Sequence, residues 1–348
     1  MAEAGAAASD ASIHELASEL ALGEAACARA EALSGLQPTR HDWRRWLDRF
    51  LAAADTLFLV AAVAAFFAWN WQALPPFAKF ALIEIGIAAA VAAAWRVGVD
   101  STAGRASLFA AAFLVGVLLA VFGQVYQTGA DPYGLFLAWA LLILPWTLVA
   151  RQAGLWLLFV FLLNLALVLY WTQVLHPPTG AWMMMQLMGP LVWLGSTAMD
   201  SRLAGCLFVL NAGALCVWEA AANMGVAWLR GRTGPRLLAL AALGTVLPPT
   251  MLLVFAASAD HKSEVTALSP LLFAAALAAC LWYYQYRKRD LFMLTAGVFG
   301  AILVVMTLAV RYLFQDVASL LALALLLVGQ VGAAAWWLRE VSRRWEAA

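Results

Sequence analysis

Long apolar runs separated by very short connections are the feature that most constrains this chain. An α-helix rises about 1.5 Å per residue, so roughly 20 residues are needed to cross about 30 Å of hydrocarbon. Eleven runs come close to this length or exceed it: residues 51–72, 76–97, 106–125, 134–150, 152–171, 181–198, 203–222, 236–257, 267–285, 291–310 and 317–338. Because backbone in lipid must satisfy its own hydrogen bonds, we predict an all-α, polytopic transmembrane bundle.

The composition supports this class and excludes others. Hydrophobic residues make up 65% of the 348 residues and charged residues 12%, proportions that a soluble globular protein of this size does not show. The formal net charge is only +1, which argues against the strongly basic surface that binds nucleic acid. We therefore expect the lipid bilayer as the main partner and no nucleic acid.

The distribution of lysine and arginine decides between two ways of threading the chain. Eleven full crossings would divide the 21 basic residues almost equally between the two faces, against the usual excess on the cytoplasmic side. If the 181–198 run instead dips into the membrane and returns, which Gly189-Pro190 at its centre favours, only four basic residues lie outside. These are Lys79, Arg202, Lys262 and Arg311. We therefore predict about ten crossings, in a bacterial inner membrane, with both termini cytoplasmic.

The same patterns divide the chain into four parts. Apolar positions interspersed with glutamates, followed by a segment with tryptophans and arginines on opposite sides, predict a small cytoplasmic helical cap and interfacial helix at residues 1–45. A first membrane domain of about five crossings covers residues 46–171, and a second helical membrane region covers residues 172–340. Residues 341–348 form a cytoplasmic tail.

Acidic side chains inside apolar runs are the first candidates for a functional site, because an unpaired charge in hydrocarbon is costly. Glu84 lies about 12 Å below the outer end of its run, near the middle of the bilayer. It is either a proton or ion site or a protonated, hydrogen-bonded structural acid. Asp55 lies one turn inside the first run, where interfacial water favours a structural role over an ion site.

A polar stretch interrupts the apolar pattern between residues 123 and 134. Gln124, Tyr126, Gln127 and Asp131 fall at the expected outer interface. They form either a polar outer surface that contacts a solute or partner, or a structured turn in which Asp131 bonds its own backbone.

Three further polar residues lie in apolar runs. Glu219 is near the cytoplasmic end of its run, and we expect it to cap that end. Asn164 and Asn211 are typical of interhelical hydrogen bonds of modest strength.

Two short motifs carry a family resemblance. Ala68-Trp69-Asn70-Trp71 follows the first run, and the stretch from Gly123 to Pro145 contains Gly-Gln-Val-Tyr-Gln, then Asp131 and Trp139. Together they resemble the bacterial membrane proteins of domain-of-unknown-function family 2157 over roughly residues 10–170. The resemblance implies an inner-membrane location and a membrane partner with an outward-facing domain, and it implies no catalytic residues.

No sequence motif assigns a chemical activity. The four histidines at 14, 41, 176 and 261 and the four cysteines at 27, 206, 216 and 280 lack the spacing of a metal site or a nucleophile, so we expect no metal, no cofactor and no catalytic site. The leading hypothesis is a non-enzymatic membrane component that binds a partner protein or senses the bilayer. The alternative is a proton- or ion-coupled carrier or channel that uses Glu84.

Overall fold

The computed structural model describes residues 73–126, 131–175, 201–256, 268–314 and 317–346, with a few scattered positions between 26 and 58. The chain divides into two compact units, residues 1–79 and 80–348. The described part of the second unit consists of helices and the turns that join them.

The helices are long enough to cross a membrane. In chain order they are α1 (Pro76–Val97), α2 (Thr102–Tyr126), α3 (Pro132–Val149), α4 (Ala153–Tyr170, continued by a π-helical turn, Trp171–Leu175), α5 (Ser201–Asn223), α6 (Thr233–Ala256), α7 (Leu268–Tyr286), α8 (Leu291–Leu313) and α9 (Val317–Glu346). A short 3₁₀ helix, Ala227–Leu229, joins α5 to α6. These nine candidate spans in the described residues correspond to nine of the eleven predicted runs. The 51–72 and 181–198 runs and most of the predicted cap lie outside the described residues.

The predicted fold class, an all-α polytopic bundle, is confirmed over this part of the chain. Helix ends follow ordinary sequence signals, since Pro76 and Pro132 are the first residues of α1 and α3. Gly98 adopts a positive φ of 90° just after α1, as glycine at a helix end commonly does. At the other end of the chain, α9 continues to Glu346, so residues 341–346 are helical.

Helices α4 and α5 run antiparallel. Asn164 near the middle of α4 pairs with Asn211 near the middle of α5, and Trp156 at the start of α4 packs in one cluster with Trp218 near the end of α5. The chain therefore leaves α4 and enters α5 at the same face of the bundle, as the ten-crossing threading requires.

Two buried tryptophans each pack directly against a glycine of the neighbouring helix. Trp139 on α3 lies over Gly116 on α2, where a Cβ would overlap with the indole ring, and its Nε1 donates to the Ala112 carbonyl at 2.8 Å. Trp218 on α5 lies over Gly234 on α6 in the same way. Glycine at such positions lets two helices approach closely.

Helix α6 lies at the centre of the C-terminal helices and contacts α5, α7 and α8. One apolar cluster joins its Ala239 to Tyr284 on α7, Met293 on α8 and Val341 on α9. Since these residues lie at the end of α7, the start of α8 and the end of α9, the turns on this face of the bundle come close together.

Candidate functional site

Of the two acidic residues proposed as a proton or ion site, the structure describes only Glu84. Glu84 lies on an exposed face of α1, and no cation among the described residues forms an ion pair with it. Asp55 lies outside the described residues. The role of both residues as a proton or ion site stays a prediction.

The residues of the predicted outer polar surface lie at the end of α2 and the start of α3. Gln124 is exposed, and Tyr126 is exposed but stacks on Phe80 of α1 with ring centroids 6.0 Å apart. The Asp131 carbonyl accepts from the Gly134 N–H at 2.9 Å, while its side chain makes no capping bond. Gln127 lies outside the described residues, so a binding role for this surface stays a prediction.

Two residues of the family-like motif are described by the structure and three are not. Trp139 is a buried packing residue and Gly123 is half-buried in α2. Trp69, Asn70 and Trp71 lie outside the described residues.

A buried ionic cluster lies where the ends of α5, α6, α7 and α8 meet. The Glu219 carboxylate is buried and accepts from Arg232 Nη1 at 2.8 Å and from the Tyr284 hydroxyl at 3.1 Å. Lys288 Nζ lies 3.4 Å from its second oxygen, Oε2, which accepts no hydrogen bond. The expectation that Glu219 only caps its own helix is therefore wrong, because its carboxylate bonds to Arg232, just before α6, and to Tyr284 on α7.

Asp290 is the second acid of this cluster and serves two purposes. It is the N-cap of α8, where its Oδ1 accepts from the backbone N–H groups of Phe292 and Met293 at 3.1 and 3.4 Å. The same carboxylate pairs with Arg232 at 2.7 Å and with Arg236 at 3.1 Å. One side chain thus fixes the start of α8 against the start of α6.

The charges of the cluster stabilise one another. Burial alone would raise the pKa of Asp290, but hydrogen bonds from Arg236 and Arg232 outweigh it and hold that pKa below its ordinary value. Burial alone would lower the pKa of Arg232, but bonds to Asp290 and Glu219 raise it. With Lys288 included, three cations face two carboxylates, so the cluster carries a surplus positive charge.

An apolar groove of about 620 Å³ begins beside this cluster. One face of α5 and one face of α7 form its walls, and α6 forms its floor. Its lining is mostly alanine and other apolar residues: Phe208, Ala212, Leu215, Cys216, Ala220, Ala239, Ala242, Leu243, Ala275, Ala276, Ala279, Cys280 and Trp282, with Glu219, Asn223, Tyr283 and Tyr284 at the charged end.

Contacts between α5 and α7 close both ends of the groove, so it opens between these two helices toward the side of the bundle. At one end Gly205 of α5 lies close to Leu268 of α7, where a Cβ would come within 3.2 Å of Leu268 Cδ2. At the other end the Tyr284 hydroxyl reaches Glu219 and the Asn223 amide donates to the Tyr283 hydroxyl at 2.9 Å. The lining residues Cys216 and Trp282 are exposed. The groove is therefore a window in the side of the bundle, between two of the candidate membrane spans.

The groove and the ionic cluster differ sharply in polarity. The groove wall is mostly apolar, and the described residues contain no group of three or more His, Cys, Asp or Glu side chains able to hold a metal ion. Sequence reasoning counted the basic residues only to orient the chain, and it predicted neither the cluster nor the groove. The available signal was an acidic residue just inside the end of one run. The next two connections between helices on the same face of the bundle carry both basic and acidic residues.

Comparison with protein families found a match in the first part of the chain. Residues 15–156 match the family described as "Predicted membrane protein (DUF2157)". The resemblance to domain-of-unknown-function family 2157 is confirmed over this region. The match ends at the start of α4, so the ionic cluster and the groove lie beyond it. Comparison with curated proteins and with solved structures found no match to the chain.

Proposed function

We propose that this protein is a non-enzymatic membrane component that senses the bilayer by holding a lipid in the window between α5 and α7. The groove is the observation that carries the proposal. Its mostly apolar lining runs from Phe208 to Asn223 on α5, a length of about 22 Å at 1.5 Å per residue. An apolar surface of this kind, open to hydrocarbon, suits an apolar guest.

The dimensions of the groove favour lipid tails over a helix from a partner protein. A volume of 620 Å³ spread over about 22 Å gives a mean cross-section of roughly 28 Å². A helix with its side chains is about 10–12 Å across, which corresponds to roughly 80–110 Å². A partner helix is therefore too wide to enter the groove as it stands, whereas an extended hydrocarbon chain fits.

Lipid retention in mild detergent tests this proposal. Native mass spectrometry of the protein purified from its membrane should show phospholipid bound in fixed stoichiometry. Ala276→Phe, which places a ring in the groove, should remove that lipid. Ala278→Phe adds the same ring to an exposed position of α7 outside the groove and should retain it.

The melting temperature of each variant shows whether α7 still packs. Lipid retained by a folded Ala276→Phe protein would place the lipid elsewhere and contradict the proposal. A polypeptide retained in fixed stoichiometry, with no lipid, would instead favour a partner-binding role.

We also propose that the face carrying the ionic cluster is cytoplasmic, because most lysine and arginine residues lie on it in the ten-crossing threading. Single cysteines at Asp200→Cys and Thr233→Cys, in a background without the native cysteines, test this. An impermeant reagent added outside should label position 200 only, and labelling at 233 would reverse the assignment.

A further inference from the structure

We propose that the groove selects an anionic phospholipid, with the lipid phosphate held at the turn between α7 and α8 by Arg287 and Lys288. This inference rests on the proposed function, since it names the class of lipid that the window would take. It depends on where the groove ends and on the charge found there.

The position of the groove fixes where a lipid headgroup must lie. Asn223 is the last residue of α5 and Tyr286 the last of α7, so the polar end of the groove coincides with the ends of two membrane-spanning helices. A lipid tail that fills the groove from this end therefore leaves the phosphate at the helix ends, where the chain turns back.

The groups at that level are cationic. Lys288 is half-buried at the polar end of the groove, close to Glu219 and bonded to the Asn223 amide oxygen. Arg287 beside it is exposed, and no described residue forms an ion pair with it. The two carboxylates of the cluster are already engaged by Arg232 and Arg236. Arg287 therefore adds positive charge that the described acids do not balance.

The backbone of the turn holds these cations at the helix end. The N–H groups of Arg287 and Lys288 donate to the Tyr283 carbonyl at 2.9 and 3.1 Å. Arg289 adopts a φ of 44°, an uncommon value for a residue other than glycine, and its guanidinium bonds the Trp345 carbonyl at 3.3 Å. The turn is thus tied to both α7 and α9, which keeps its cations beside the groove.

Charge complementarity then favours a net negative headgroup. A phosphate can accept charge-assisted hydrogen bonds from Arg287 and Lys288. A zwitterionic headgroup brings an ammonium group into the same surplus positive charge. A basic residue near the membrane surface favours anionic lipid by about fivefold, so two residues should give a preference of roughly thirtyfold.

Lipid competition tests the inference. Protein in mild detergent is exposed to equal amounts of phosphatidylglycerol and phosphatidylcholine with identical tails, and native mass spectrometry counts both. The wild type should bind phosphatidylglycerol preferentially. Arg287→Gln with Lys288→Gln should bind as many lipids without the preference, and Arg287→Gln alone, which breaks no described ion pair, should show an intermediate ratio.

The matched control is Arg339→Gln with Arg343→Gln, two exposed cations near the end of α9 that do not line the groove. It removes the same charge at the same end of the bundle and should keep the wild-type preference. Bound lipid with no headgroup preference in the wild type would overturn this inference and leave the proposed function standing. An equal loss of preference in the control variant would have the same meaning. Absence of any bound lipid would overturn both.

Discussion

Asp290 offers the sharpest test of how the ionic cluster holds α5–α8 together, because its two roles can be separated. Asparagine is as good an N-cap as aspartate, so Asp290→Asn removes only the charge. Breaking a buried ion pair costs about 3–5 kcal/mol, but Arg232 and Arg236 keep side-chain exposures of 27% and 39% and can regain water. We therefore expect Asp290→Asn to lower the free energy of unfolding by about 2–3 kcal/mol.

Asp290→Ala should cost about 1 kcal/mol more, because it also removes the cap of α8. Denaturant unfolding in detergent micelles, followed by circular dichroism, measures both variants against the wild type at pH 7. If Asp290→Asn were as stable as the wild type, the cluster would contribute no net ionic stabilisation. If alanine and asparagine were equally destabilising, the capping role would be refuted.

The ionic part of this stabilisation has a defined pH dependence. The pKa of Asp290 is lowered in the folded protein, so its contribution is complete above the unfolded-state pKa of about 3.9. That contribution is lost as the pH falls through the lower folded-state value. The stability difference between wild type and Asp290→Asn should therefore be constant from pH 7 to pH 5 and shrink below about pH 4. A difference that changed between pH 7 and pH 5 would point to another titrating group.

Two further predictions concern helix packing, and both are measured by the same unfolding titration. Gly116→Ala should lower the free energy of unfolding by about 1–3 kcal/mol, because its methyl group overlaps with the buried Trp139 ring. The control, Gly213→Ala, lies in open space on α5 and should leave that free energy unchanged or raise it slightly. Equal effects of the two substitutions would refute the close contact. A double-mutant cycle of Asn164→Ala and Asn211→Ala should give a coupling of about 0.6 kcal/mol, up to roughly 1.7, and a coupling of zero would mean that the amide pair is not formed in the micelle.

The helices could be predicted from the sequence because a membrane-spanning segment is recognised from its own length and apolar composition. A run of about 20 apolar residues must satisfy its backbone internally, and helix formation requires no knowledge of the neighbours. For the same reason the Asn164 and Asn211 amides were correctly expected to form interhelical bonds. Their mutual pairing depends on the antiparallel packing of α4 and α5, which no local pattern encodes.

The candidate site could not be predicted, because each of its residues has an ordinary explanation when it is considered alone. Glu219 pairs with Arg232 13 residues later and with Tyr284 65 residues later, and each basic residue also fits the usual excess at a cytoplasmic face. The groove is harder to predict than the cluster, because alanines such as Ala276 usually indicate two helices that pack closely along their length. They line a cavity here because α5 and α7 separate between their bridged ends.

The spacing of the cluster along the chain has a consequence for how the protein is made. Arg232 follows Glu219 by 13 residues and Asp290 follows Arg232 by 58. At about 5–20 residues per second, Asp290 is synthesised roughly 3–12 s after Arg232. The α5–α6 hairpin therefore enters the bilayer with its own acid already neutralised, while Arg236 awaits its partner. Until α7 is added the groove lacks one wall, so a lipid lying against the hairpin would be enclosed by the arriving helix and need not pass between helices that have already packed.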